Sequence, residues 1–176
     1  SYTWYPRKSL DISDNTIIAG LYAADWNGIA IFNRQDGDWV EEASFNQYTE
    51  VPDATYFALS VAISGDVAVA GRSNINGDTH SAIAYRRIGN TWIEEATLTN
   101  TFDPTDEWFG TEVAIDGDTI MVTGLASPIT VFEYDGSSWN PSQYIQNNGI
   151  TFGSTLDIQG DTALVGTFDG DYLDRA

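Results

Sequence analysis

The stretch Ser60–Gly71, "SVAISGDVAVAG", decides how the rest of the chain is read. Two short apolar runs flank the pair Gly65-Asp66. Runs of β-forming residues separated by a Gly-containing tight turn predict a β-hairpin. The phrase returns three times, as "SLDISDNTIIAG" (9–20), "EVAIDGDTIMVTG" (112–124) and "TLDIQGDTALVG" (155–166). The closing glycines are Gly20, Gly71, Gly124 and Gly166, spaced by 51, 53 and 42 residues. Such a period points to a solenoid, a propeller or an array.

What lies between the hairpins chooses among these. After each one comes a third β-forming run and then a fourth. These are "SAIAYRR" and "WIEEATL" in the second repeat, and "IAIFNRQDGDWVEEASF" and "ITVFEYDGSSWNPSQYI" in the first and third. Asp36-Gly37 and Asp135-Gly136 mark turns of the strongest local hairpin type. No segment sustains helical periodicity. The expected fold is all-β: a β-propeller-like array of four-stranded antiparallel blades, about three and a half repeats and fourteen strands. One propeller-type domain is expected over 1–176, with repeats near 5–55, 56–107, 108–150 and 151–176. Phe57, Phe109 and Phe152 precede the first strand of their repeats, and Trp39, Trp92 and Trp139 begin the fourth. Inter-blade packing is their expected task, with sugar stacking the alternative.

Composition narrows the function. Of the 176 residues 42% are hydrophobic and 13% aromatic, which suits a packed β-rich core. The 26 acidic and 7 basic residues give a formal charge of −19. Nucleic acid and anionic membranes are poor partners for such a surface, because phosphate contacts need clustered Lys and Arg. Arg86-Arg87 is a basic pair, not a patch. The chain has no cysteine, which excludes disulfides, zinc-thiolate sites and thiol nucleophiles. No apolar run reaches membrane-span length. With no initiator Met or leader-like stretch, the sequence reads as a processed product or a piece of something longer.

The phrases "FALSVAISGDVAVAG", "FGTEVAIDGDTIMVTG" and "FGSTLDIQGDTALVG", with the shared "W-x-E-E-A" ending of the first two repeats, resemble FG-GAP-type repeats. These are of the bacterial and algal kind, related to integrin α-chain propellers. The resemblance spans nearly the whole chain. It implies a propeller at the cell surface or outside the cell, used in adhesion and in binding a protein or glycan ligand. There are departures. Pro6-Arg7 and Phe57-Ala58 stand where Phe-Gly would, and Leu21, Arg72, Leu125 and Thr167 stand where the motif has Pro. The turns "SDN", "SGD", "DGD" and "QGD" are too short for the family's Ca2+ loop, which must wrap six to eight oxygens around the ion. No metal residues carry over.

Catalytic sets are sparse. The lone histidine, His80, excludes a Zn-His cluster and leaves little room for a Ser-His-Asp arrangement. Glu41-Glu42 and Glu94-Glu95 look like paired carboxylates, but neighbours on a strand face opposite ways and the recurrence marks a scaffold position. "DGSSW" fails the spacing of a sialidase Asp box. Weak Ca2+ candidates remain in the longer loops: Asp25 and Asn27; Asn74, Asn76 and Asp78; Asp169, Asp171 and Asp174. Turns favour the same residues without any ion. The expected function is a non-enzymatic binding, adhesion or assembly scaffold with no cofactor. The alternatives are a fragment of a carbohydrate-active propeller enzyme and a structural subunit completed by a neighbouring subunit.

Overall fold

A computed structural model describes residues 10–23, 26–46, 56–73, 80–104, 106, 108–124, 127–146 and 151–168. These residues hold fourteen strands and no helix. The strands are β1 (Leu10–Ser13), β2 (Thr16–Ala23), β3 (Trp26–Gln35), β4 (Asp38–Asn46), β5 (Tyr56–Ser64), β6 (Val67–Ser73), β7 (Ser81–Ile88), β8 (Thr91–Leu98), β9 (Glu112–Asp116), β10 (Thr119–Thr123), β11 (Ile129–Tyr134), β12 (Trp139–Ile145), β13 (Thr151–Gln159) and β14 (Thr162–Phe168). They form three four-stranded antiparallel sheets and one two-stranded sheet, each a meander in chain order. We number these sheets blades 1 to 4. The expected all-β array of three and a half propeller-like blades is what the chain adopts.

The alternation along each strand explains the stacking, because a strand sends successive side chains to opposite faces. In blade 2, Ile63, Ala68, Ile83 and Tyr85 pack on Ile18, Ile29 and Ile31 of blade 1. The other set, Ala62, Val69, Ala82 and Ala84, packs on Phe109, Val113, Ile120 and Phe132 of blade 3. Blade 3 repeats the device, with Met121, Ile129 and Val131 meeting Leu156 of blade 4. The core is therefore three slabs between successive sheets. Each fully buried Val, Ile or Phe contributes on the order of 1.5–3 kcal/mol. The first strands β1, β5, β9 and β13 contact one another in turn, which places them innermost.

The position after the recurrent phenylalanine has a backbone cause. Gly110 and Gly153 adopt φ of +87° and +85°, and Ala58 takes the same region at +59°. Ala58 and Gly153 lie where the ladder slips, between Phe57 and Val61 in blade 2 and between Phe152 and Thr155 in blade 4, while Gly110 lies just ahead of β9. The closing glycines are needed for room. A Cβ on Gly20 would lie 2.1 Å from the Ala58 carbonyl oxygen, and one on Gly71 would lie 2.0 Å from that of Gly110. Each glycine thus lets the next blade's bend at Ala58 or Gly110 touch its backbone. In the third joint the approach shifts by one residue: a Cβ on Gly153 would meet Thr123 Oγ1 at 2.5 Å, while Gly124 is crowded by Asp106, Trp108 and Ser127. Gly166 is crowded by Thr155 of its own blade.

Candidate functional site

At the turn end of the inner strands the four copies of the opening phrase converge. Asp11–Ser13, Ala62–Ser64, Ala114–Asp116 and Asp157–Gln159 line one cavity of about 280 Å³ around the axis. We call it the channel mouth. Its geometry follows from the first hairpin turn of each blade. The first turn residue has positive φ, at Gly65 (+57°), Gly117 (+55°) and Gly160 (+54°), and Asp14 takes +50° where blade 1 has no glycine.

The residue just before each turn acts across the joint. Ser13 Oγ accepts the Gly65 N–H at 3.0 Å. Ser64 Oγ accepts the Gly117 N–H at 3.0 Å. Asp116 Oδ2 accepts the Gly160 N–H at 2.6 Å. The same bond thus runs three times from one blade to the next. Further along, Asp11 Oδ2 accepts the Ile63 N–H at 2.9 Å, and Ser60 Oγ accepts the Val113 N–H at 3.1 Å while donating to Glu112 Oε2. Inner-edge N–H groups that a sheet would leave unpaired are thereby satisfied by the neighbouring blade. The mouth that results is rich in acceptors. Asp157 and Gln159 stand exposed in it. Its chemistry suits hydroxyl or ammonium donors and repels anions.

A second recurring bond lies at the outer strands. The fourth strand of each complete blade carries a bulge opposite its third, between Ile31 and Phe32, Ala84 and Tyr85, and Val131 and Phe132. The unpaired residues are Glu42, Glu95 and Ser142. A bulge re-aims a side chain. Glu42 Oε2 accepts the Trp92 Nε1–H at 3.0 Å, and Glu95 Oε2 accepts the Trp139 Nε1–H at 2.8 Å. Each carboxylate therefore holds the tryptophan of the next blade. Arg87 reinforces the first joint, 3.5 Å from Glu42 and stacked over Trp92. Arg86 reinforces the second, paired with Glu95 and lying 4.3 Å from the Tyr134 ring centroid. Burial pushes the Glu95 carboxyl up, but the hydrogen bonds from Arg86 and Trp139 outweigh it and its pKa is lowered. The Glu95 hydrogen bond raises Arg86 against the cost of burial. At the turn between β11 and β12, Asp135 accepts from Ser137, Ser138 and Asn140, and these bonds hold its pKa far below the ordinary range.

Phe57 and Phe109 are fully buried in the joints. Trp92 and Trp139 are buried there too. Trp39 is not: it is 40% exposed, because no described blade precedes blade 1. The side chain of Phe152 lies outside the described residues, as do Asp25, Asn74, Asn76, Asp78, Asp169, Asp171 and Asp174. Asn27 is placed in β3, with its side chain likewise outside. Among the described residues no group of three or more His, Asp or Glu is arranged to hold a metal. Sequence reasoning passed over the residue before the turn, and for Glu42 and Glu95 it read a scaffold position without the bond across the joint. The signal for the first was a position that stays polar (Ser13, Ser64, Asp116, Gln159) at the end of an otherwise apolar strand. No helix in the described residues is long and apolar enough to cross a membrane. No protein-family model matches the chain, and no curated protein matches it as a relative.

Proposed function

We propose that this chain is a non-enzymatic binding and assembly scaffold built from FG-GAP-like propeller repeats, displayed at a cell surface or secreted. One observation carries the reading. One glutamate of each adjacent pair weighed as catalytic carboxylates, Glu42 of Glu41-Glu42 and Glu95 of Glu94-Glu95, accepts a hydrogen bond from the next blade's indole and so joins blades. The repeated polar positions before the turns do the same. What is left open for a ligand is the acceptor-rich channel mouth, whose Asp157 and Gln159 face solvent. A glycan or a protein segment offering hydroxyl or ammonium groups fits that chemistry.

A panel of glycans and basic peptides, scored for both binding and turnover, tests this. We expect saturable binding without turnover, weakened roughly tenfold by Asp157→Asn, equivalent to about 1.4 kcal/mol. Hydrolysis abolished by a single Asp or Glu substitution would replace this reading with the carbohydrate-active one.

A further inference from the structure

The two outward faces of the described blades carry the two halves of the joint that holds the blades together. In every internal joint, one residue on the second strand of a blade packs against a pair on the inner strand of the next. Ile18 meets Val61 and Ile63, Val69 meets Val113 and Ile115, and Met121 meets Leu156 and Ile158. The first residue of each set is at most 3% exposed. The register places Leu164 at that position in blade 4, paired with Asp157 and therefore on the face opposite Leu156 and Val165. It places Leu10 and Ile12 at the receiving positions in blade 1, on the face opposite Ile18. All three are bare: Leu164 is 72% exposed, Leu10 60% and Ile12 57%. On the outer strand β4 of the same blade, Trp39 is 40% exposed, at the position in the repeat where Trp92 and Trp139 fill the internal joints.

We propose that these faces bind each other between two copies of the chain, with the blade 4 face of one seated on the blade 1 face of the next. The occupant follows from the three internal joints, which show what covers each half. This deepens the assembly part of the scaffold reading, and its test reads mass alone, so its failure leaves ligand binding at the channel mouth untouched. Such an interface is heterologous and builds rings or open chains. The charge of −19 per chain opposes it, so association strengthens as salt screens the repulsion.

The test is light-scattering mass of the 19.3 kDa chain over a concentration series. We expect species larger than a monomer that grow with concentration and salt. Ile12→Asp and Leu164→Asp, both at exposed sites and checked for native circular dichroism, are each expected to be monomeric. Mixed together they retain one good half each, so they are expected to form a dimer that stops at one-to-one. Ile88→Asp, at an exposed apolar residue outside both faces, is expected to assemble as the parent does. A parent that stays monomeric throughout overturns the proposal. So does association that survives Leu164→Asp, or variants that fail to complement.

Discussion

At the scale of single residues, the repeat is written in backbone requirements. A non-glycine residue at positive φ costs about 1–2 kcal/mol, and glycine gives back part of that through its larger unfolded-state entropy. Ala58 carries this cost in blade 2, where Gly110 and Gly153 avoid it. Ala58→Gly is therefore expected to stabilise by about 0.5 kcal/mol and raise Tm by one or two degrees, read by calorimetry. Gly71→Ala is expected to do the reverse and far more strongly. Its Cβ would sit 2.0 Å from a backbone oxygen that cannot rotate away, so a loss of at least about 3 kcal/mol follows. The sequence showed that these glycines recur. It did not show why, because the obstacle is the carbonyl of a residue about 40 positions further along the chain (Gly71 to Gly110).

At the scale of elements, the fourth strand is the informative one. "W-x-E-E-A" was readable as a scaffold feature from its recurrence alone. The division of labour within it was not, since a strict two-residue alternation gives no reason why the second Glu should reach the next blade. The bulge supplies that reason, and bulges have no short sequence signature here. The Glu95–Trp139 bond has two consequences. Trp139→Phe and Glu95→Gln, singly and together, form a cycle with an expected coupling of about 1–1.5 kcal/mol by denaturant unfolding. The pH dependence has a definite sign. The folded pKa of Glu95 lies below its ordinary 4.5, so the stabilisation is complete above that value and is lost as pH falls through the lower folded pKa. Parent and Glu95→Gln unfolding curves should therefore converge below pH 4.5; curves that stay parallel there would remove Glu95 from the joint.

At the scale of the whole molecule, the four hairpin phrases at near-regular spacing were enough for the class, the strand count and the blade pattern. The strands are local, and each hairpin declares itself by alternation and a turn. The channel mouth was not legible, because it is made by four segments that meet only after the blades stack. The motif that marks the repeat, first readable as a turn and nothing more, lines that mouth. The central claim is that the first two joints, between blades 1 and 2 and between blades 2 and 3, are held by the same carboxylate–indole bond and that blade 1 presents its indole to the outside. Solvent exchange of the indole Nε1–H groups, measured by NMR on the monomeric Ile12→Asp chain, tests it most directly. The account predicts that Trp92 and Trp139 exchange at least about tenfold more slowly than Trp39. Three indoles exchanging at one common rate would contradict it.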